Sequence, residues 1–253
     1  MRDVFLERAY YAFPLMTAAA QAKAMGVPGF RAIELGVWQG QGLFNLASLA
    51  AVVGAVYDLR IEVVWFDTGA GMPEAIGWVD HPELWQEGQL KMPDFKAMQE
   101  ALPQNARLIV GDVAQTIPAF AETLSHDSPL GFVALDVDYY SSSASALEVL
   151  DHTDQQNYLP ATPFYFDDSY IGLTQHEYAG EALAIHMKNV PSIRAIEEGR
   201  FEDADKLILK KHVRPGRPGK AWHHCIYFAH MLRHPIRQGK GKTSMIGLHH
   251  VRF

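Results

Sequence analysis

The hydrophobic positions of the chain form short apolar runs, separated by stretches in which apolar residues recur every three or four positions. The first pattern predicts strands covered on both faces, as in a parallel sheet, and the second predicts helices. Strands are predicted at 30–35, 61–66, 107–110, 132–135, 163–166, 206–210 and 222–228. Helices are predicted at 1–26, with a break near Pro14, and at 43–53, 94–102, 113–124, 143–150 and 177–189.

This alternation of strands and helices predicts the class of fold. Strands that alternate with helices build a doubly wound sheet, because each crossover helix covers one face of it. We therefore expect one α/β domain over residues 1–253, with a seven-stranded, largely parallel sheet and an antiparallel strand near the C-terminus.

Three segments lie outside the alternation. Residues 1–28 are predicted to form an N-terminal helical segment. Residues 68–93 are long for a plain connection, and their aromatic residues Trp78 and Trp85 favour an ordered lid loop over a linker. Residues 239–253 are expected to form an exposed tail.

Composition narrows the classes of function. The chain has 253 residues, of which 48% are hydrophobic and 20% charged, with a net charge of -7. Such an acidic chain without a basic face is unsuited to nucleic acid, and no apolar run reaches the roughly 18 residues of a membrane span. The one cysteine, Cys225, excludes an internal disulfide, so we expect a cytoplasmic protein. A homo-oligomer is compatible with this composition.

Acidic residues follow two of the predicted strands. The fourth strand is followed by Asp136 and Asp138, and the fifth by Asp167 and Asp168. The carboxyl ends of parallel strands border the crevice in which open α/β sheets bind ligands. The sequence therefore predicts four carboxylates near one crevice, the alternative for each being the N-cap of the next helix.

A glycine-rich loop follows the first strand, with Gly36, Gly40 and Gly42 after Glu34. Glycines at this place let the backbone approach a ligand and direct helix N–H groups toward it. Their spacing differs from the Gly-x-Gly-x-x-Gly fingerprint of dinucleotide sites, which disfavours a nicotinamide oxidoreductase.

Further residues beside this loop are candidates for ligand contact. Glu34 is placed to oppose a cationic group, and Asp67 ends the second strand, where ribose hydroxyls are bound in doubly wound folds. Asp112 follows the third strand and either contacts an adenine-like base or caps the next helix. For Trp38, packing in the core is favoured over packing on a cofactor.

Five motifs stand at the predicted strand ends: Ala32-Ile-Glu34-Leu-Gly36-Val-Trp38-x-Gly40, Phe66-Asp67-Thr-Gly-Ala-Gly71-Met72-Pro73-Glu74, Gly111-Asp112-Val113, Leu135-Asp136-Val-Asp138-Tyr139 and Phe166-Asp167-Asp168. Together they resemble class I S-adenosylmethionine-dependent methyltransferases, and more narrowly the macrocin-type (TylF-like) O-methyltransferases of antibiotic biosynthesis. The resemblance covers about residues 30–190, and five motifs in one order are more specific than any one alone.

The resemblance implies a Rossmann-like domain that binds S-adenosylmethionine and Mg²⁺ or a similar divalent cation. The cofactor-binding residues it implies are Glu34, Gly36, Trp38, Gly40, Gly42, Asp67, Gly111, Asp112 and Asp136. Among these, Glu34 and the glycine loop would hold the methionine part, Asp67 the ribose and the region of Gly111 the adenine. It also implies Asp136, Asp167 and Asp168 as metal ligands, which suits a hard cation, and Asp138 as the general base.

The expected function is therefore a metal-assisted O-methyltransferase that acts on a hydroxyl of a small molecule, such as a sugar or a secondary metabolite. The chain departs from the family after the second strand, at Thr68, and after the fourth, at Tyr140. These departures leave open a catalytically inactive, methyltransferase-like protein that binds the cofactor or acts in assembly. Tyr170 and His176, past the last acids, border the acceptor pocket or lie on the surface.

Overall fold

A seven-stranded sheet forms the centre of the protein in a computed structural model that describes residues 8–169, 175–211 and 224–239. Its strands are β1 (Gly29–Leu35), β2 (Arg60–Asp67), β3 (Ala106–Val110), β4 (Leu130–Leu135), β5 (Ala161–Phe166), β6 (Lys206–Lys210) and β7 (Ile226–Met231). They lie in the order β3-β2-β1-β4-β5-β7-β6. β7 runs antiparallel to both of its neighbours, β5 and β6, and the other strand pairs are parallel. The predicted doubly wound, largely parallel sheet is thereby confirmed.

Six α-helices flank the sheet among the described residues: α1 (Ala12–Met25), α2 (Gln41–Tyr57), α3 (Phe95–Glu100), α4 (Val113–Ala121), α5 (Tyr140–Ala146) and α6 (Gly180–Glu197). Short 3-10 turns lie at Ala9–Tyr11, Trp78–Asp80, Leu147–Leu150, Gln155–Asn157 and Phe201–Asp203. The expected break near Pro14 is wrong. Pro14 is the third residue of α1, where a missing N–H breaks no intrahelical hydrogen bond.

Three predicted segments lie partly outside the described residues. The last strand begins at Ile226 rather than 222, and residues 222–223 lie outside the described residues. The same holds for residues 1–7 of the N-terminal segment and 240–253 of the expected tail. Among the described residues, no helix combines the length and the apolar character needed to cross a membrane.

The core has two halves, one on each face of the sheet. Alternate residues of a strand point to opposite faces, so Phe30 and Ala32 of β1 pack with α1 and α2, whereas Ile33 and Leu35 pack with α4, α5 and α6. All six residues of β4 are buried. This burial on both faces accounts for the continuous apolar runs in the sequence.

Helix α1 is fastened to the start of β5 by one side chain. The amide of Gln21, which is 3% exposed, donates to the Ala161 carbonyl oxygen at 2.8 Å and accepts from the Ala161 N–H at 3.1 Å. Just before α1, Tyr10 stacks on Tyr165 with 4.7 Å between the ring centroids. These contacts hold the segment before α1 against the carboxyl ends of the strands.

We predict that Gln21→Ala lowers the free energy of unfolding by about 2 kcal/mol, because it leaves the Ala161 N–H and carbonyl without partners. Urea denaturation followed by circular dichroism measures the change. The matched control is Gln115→Ala on the exposed face of α4, for which we expect a change within about 0.5 kcal/mol. Equal effects of the two variants would contradict the fastening role of Gln21.

Candidate active site

An open cavity, whose volume of about 980 Å³ includes space open to solvent, lies at the carboxyl ends of the four strands β3, β2, β1 and β4. Its wall includes Arg8 and residues at four strand ends: 34–39 at the end of β1, 66–68 at the end of β2, Gly111 and Val113 after β3, and 136–138 after β4. Residues 71–73 and Leu90 of the predicted lid complete this side of the wall. The cavity lies where ligands bind in open α/β sheets.

Two glycines of the loop after β1 are required by close contacts. Gly36 has a φ of +87°, and a Cβ there would stand 1.8 Å from the carbonyl oxygen of Asp136. At Gly42, in the first turn of α2, a Cβ would stand 2.0 Å from Oε1 of Glu34. Gly36 thus lets the ends of β1 and β4 meet beneath the cavity, and Gly42 lets α2 approach the acid.

Glu34 is buried at the cavity wall, and protein donors already engage both of its oxygens. Oε1 accepts from the Tyr11 hydroxyl at 3.0 Å, and Oε2 accepts from the Trp65 indole N–H at 2.9 Å. Burial raises the pKa of Glu34. A cation of the protein itself is also near, since Nη1 of Arg8 lies 3.7 Å from Oε1 of Glu34.

Asp67 organises the glycine loop from the end of β2. Its Oδ2 accepts from the backbone N–H groups of Val37 at 2.8 Å and Trp38 at 3.2 Å, and its Oδ1 accepts from Gly69 at 2.6 Å. An ionised carboxylate offers about four acceptor positions. Asp67 therefore orders two loops and still faces the cavity with acceptor capacity left for a ligand hydroxyl.

The structure also places three further residues named in the sequence analysis. Asp112 caps α4 by accepting from the Ala114 N–H at 2.9 Å, and it lies outside the cavity wall. Gly40, also outside the wall, has its φ at +82° and lies where a Cβ would stand 2.6 Å from the sulfur of Met98. The preferred core packing of Trp38 is wrong: this side chain is 44% exposed and lines the cavity.

Three carboxylates meet beside the cavity. Ligand atoms of Asp136, Asp167 and Asp168 all lie within 4.8 Å of one another. A turn directly after β5 brings Asp167 and Asp168 to the same side, a condition that strict strand alternation would not meet. Burial, followed by the charge of Asp167, raises the pKa of Asp136 to about 7, as expected of like charges without a cation between them.

The fourth acid, Asp138, diverges from the strand and lies between two cavities. Its φ of +56° places it in the left-handed region, which Asp tolerates better than most residues. It lines the large cavity and also a second, much narrower cavity, whose wall includes Asp168, His81 and His176. Burial, together with the adjacent Asp168, raises the pKa of Asp138 to about 9.

His176 lines the second cavity, and Tyr170 lies outside the described residues. His81 also lines this cavity, is 5% exposed and packs edge-on against the His176 ring. The sequence analysis missed His81, because a lone histidine in an irregular segment carries no spacing signal.

Asp80 fixes the predicted lid to the loop that carries Asp138. Its side chain is fully buried and accepts from the Ile76 N–H at 3.0 Å and from the N–H and hydroxyl of Ser141, each at 2.8 Å. Ser141 stands three residues after Asp138, in the first turn of α5. The sequence analysis missed Asp80, and its partner 61 positions away is not visible in a local pattern.

Comparison with solved structures identifies the fold. The structure of CalS11, a calicheamicin methyltransferase, matches with a TM-score of 0.54 and 21% identity over 89% of this chain and 81% of CalS11. The O-methyltransferase NovP matches with a TM-score of 0.51 and 17% identity over 87% of this chain and 79% of NovP. The chain has the Rossmann-like fold of class I methyltransferases. Comparisons with family models and with curated proteins find no match.

The methyltransferase fold confirms the predicted architecture. Sequence identities below 25% establish a shared fold but not shared residue roles. The roles of individual residues are therefore argued from the geometry of this chain. In that geometry, the cavity spans four strand ends, the three carboxylates lie at one end of it, and Asp138 connects it to the second cavity.

We predict that Asp80→Ala loosens the lid, since three hydrogen bonds to a buried carboxylate are lost. Native-state cleavage by chymotrypsin next to Trp78 or Trp85 should become at least about tenfold faster, because each 1.4 kcal/mol of local stability is a factor of ten in the open population. Glu87→Ala, an exposed acid of the same segment, is the control. If both variants are cut at one rate, Asp80 does not anchor the lid.

Proposed function

We propose that the protein is an S-adenosylmethionine-dependent O-methyltransferase, assisted by a divalent cation such as Mg²⁺, that methylates a hydroxyl of a small molecule. A sugar or another secondary metabolite is the proposed class of acceptor. The observation that carries the proposal is the position of Asp138, which stands between the large cavity at the strand ends and a second cavity, next to a three-carboxylate group.

The large cavity fits the proposed cofactor. Asp67 offers carboxylate oxygens for ribose hydroxyls, and the nearby Gly111, Val113, Met72 and Leu90 offer a largely apolar surface for adenine. Asp136 and Asp138 stand at the other end of the cavity, after β4. A ligand that lies across the strand ends would bring its sulfonium methyl group toward these acids.

The carboxylate group also fits a divalent cation. Three oxygen donors within 4.8 Å of one another suit the coordination of Mg²⁺ or Mn²⁺. Asp136, Asp167 and Asp168 would hold the ion. Burial, followed by the charge of Asp167, raises the pKa of Asp136, and a cation would offset that charge. When bound there, a divalent cation lowers the pKa of a coordinated hydroxyl and orients it.

Asp138 is the proposed general base. In methyl transfer, the acceptor oxygen forms a bond to the methyl carbon, the bond from that carbon to sulfur breaks, and the hydroxyl proton passes to a carboxylate oxygen of Asp138. A cation at Asp168 would also favour the ionised form of Asp138, since an opposite charge lowers the pKa of an acid. The lid held by Asp80 would exclude water and orient the acceptor.

The comparisons support this proposal through the nature of the proteins that share the fold. Both CalS11 and NovP are methyltransferases, and NovP is an O-methyltransferase. The catalytically inactive alternative keeps the cofactor cavity without turnover. Binding of S-adenosylhomocysteine together with no methylated product from a broad panel of hydroxylated acceptors would favour that alternative.

We predict that EDTA abolishes methyl transfer while binding of S-adenosylhomocysteine stays measurable, because the residues proposed to hold its adenosine lie at the other end of the cavity from the carboxylate group. Calorimetry measures the binding, and release of S-adenosylhomocysteine measures the turnover. Asp167→Asn should weaken Mn²⁺ binding by at least about tenfold, whereas the exposed Asp127→Asn should not. Full activity in the chelator would remove the metal from the mechanism.

We predict that Asp138→Asn lowers kcat by about 10² to 10⁴, the range expected for loss of a general base. Asparagine keeps the size of the side chain and tolerates the left-handed backbone at this position, so the affinity for S-adenosylhomocysteine should stay within about threefold of that of the unsubstituted protein. A nearly normal kcat in this variant, measured beside Asp127→Asn, would exclude Asp138 as the base.

A further inference from the structure

The side chain of Arg8 reaches the cofactor cavity from the segment before α1. Its Nη1 and Nη2 each lie 3.1 Å from Oδ2 of Asp136, and Nη1 donates to the Tyr11 hydroxyl at 2.8 Å. The side chain is 23% exposed and forms part of the cavity wall. Its guanidinium therefore lies at the end of the cavity formed by β1 and β4.

Arg8 is distinguished by its charge. Among the described residues that line the large cavity, it is the only cation, whereas Glu34, Asp67, Asp136 and Asp138 are acids. An anionic group of a ligand would be repelled from every other ionisable side chain in this wall. Arginine also presents a planar fork of donors that matches a carboxylate.

The position of Arg8 matches one end of the proposed cofactor. Asp67 and the apolar residues beside Gly111 occupy the β2 and β3 end, which suits ribose and adenine. The amino acid end of S-adenosylmethionine would then lie over β1 and β4. That end carries an α-carboxylate, and Arg8 is located there. Glu34, the acid that the sequence assigns to this end, already accepts from Tyr11 and Trp65.

Arg8 and the proposed metal share one carboxylate. Asp136 accepts from Arg8 and also belongs to the group with Asp167 and Asp168. Without a ligand, Arg8 supplies positive charge to this acidic end. A cation held by the three acids would neutralise the charge of Asp136 in place of Arg8. The Arg8 guanidinium would then be available to pair with a ligand carboxylate.

We propose that Arg8 is a two-state counter-ion, which pairs with Asp136 in the empty site and with the α-carboxylate of S-adenosylmethionine when the cofactor is bound. This inference rests on the proposed function. It adds a cofactor-binding residue that no motif of the sequence indicates, and it couples occupation of the cofactor cavity to that of the carboxylate group.

Two ligands that differ only in one carboxylate test the proposal. Calorimetry would compare S-adenosylhomocysteine with its decarboxylated analogue, which keeps the adenosine, the sulfur and the amine. In Arg8→Gln, the affinity for S-adenosylhomocysteine should fall about 10- to 100-fold, as for loss of a charge-assisted pair, and that for the analogue should stay within about threefold. Arg8→Lys should restore part of the loss, and Lys23→Gln, an exposed cation of α1, should change neither affinity.

The outcomes separate the possible roles. An equal loss of affinity for both ligands in Arg8→Gln would make Arg8 a structural residue and overturn the proposal, as would unchanged affinity for both. If the unsubstituted protein binds neither ligand, the proposed function itself fails.

The second state of the counter-ion is tested by metal alone. In cofactor-free Arg8→Gln, the acidic end has lost a positive charge, so Mn²⁺ should bind about fivefold more tightly than in the unsubstituted protein. Electron paramagnetic resonance of free Mn²⁺ measures this affinity. Unchanged or weaker binding would contradict the pairing of Arg8 with Asp136 in the empty site.

Discussion

The structure depends on how negative charge is accommodated at one end of its sheet. Six carboxyl groups gather there: Glu34, Asp136, Asp138, Asp167, Asp168 and Glu181. Like charges in a poorly solvated place disfavour ionisation, which is why the pKa values of Asp136 and Asp138 are raised to about 7 and about 9. The buried Glu181 accepts from the Asp168 N–H at 2.9 Å, and burial raises its pKa strongly. Arg8 offsets part of this charge, and the proposed cation would offset more.

The fold creates this concentration of charge directly. Because β1, β4 and β5 are adjacent and parallel, residues that follow them in sequence meet at one edge. Gly36 allows the ends of β1 and β4 to approach within van der Waals distance, and the turn after β5 gathers its two acids. Asp138 leaves the strand with a left-handed backbone, so it faces the second cavity instead of joining the other three. A strained residue at such a place is typical of functional sites.

The sequence predicted the sheet and the acids well, because both are local signals. Buried parallel strands are continuous apolar runs, and each acid follows its strand directly. Contacts between distant positions leave no local pattern in the sequence. Arg8 and Asp136, which form an ion pair, are 128 positions apart, and the segment that carries Arg8 is held in place by the Gln21 contact of the following helix. The sequence left open whether Asp112 contacts a ligand or caps a helix, and the structure shows that it caps α4. The exposure of Trp38 likewise follows from the path of the loop, with a φ of +45°.

The central claim is that one cleft holds the cofactor and a divalent cation side by side. A crystal grown with S-adenosylhomocysteine and Mn²⁺ tests it most directly, through the anomalous signal of the metal. The account predicts a Mn²⁺ peak among Asp136, Asp167 and Asp168, with the ligand across the strand ends and its carboxylate at Arg8. Bound ligand with no metal peak at these three acids, or ligand density elsewhere, would contradict it.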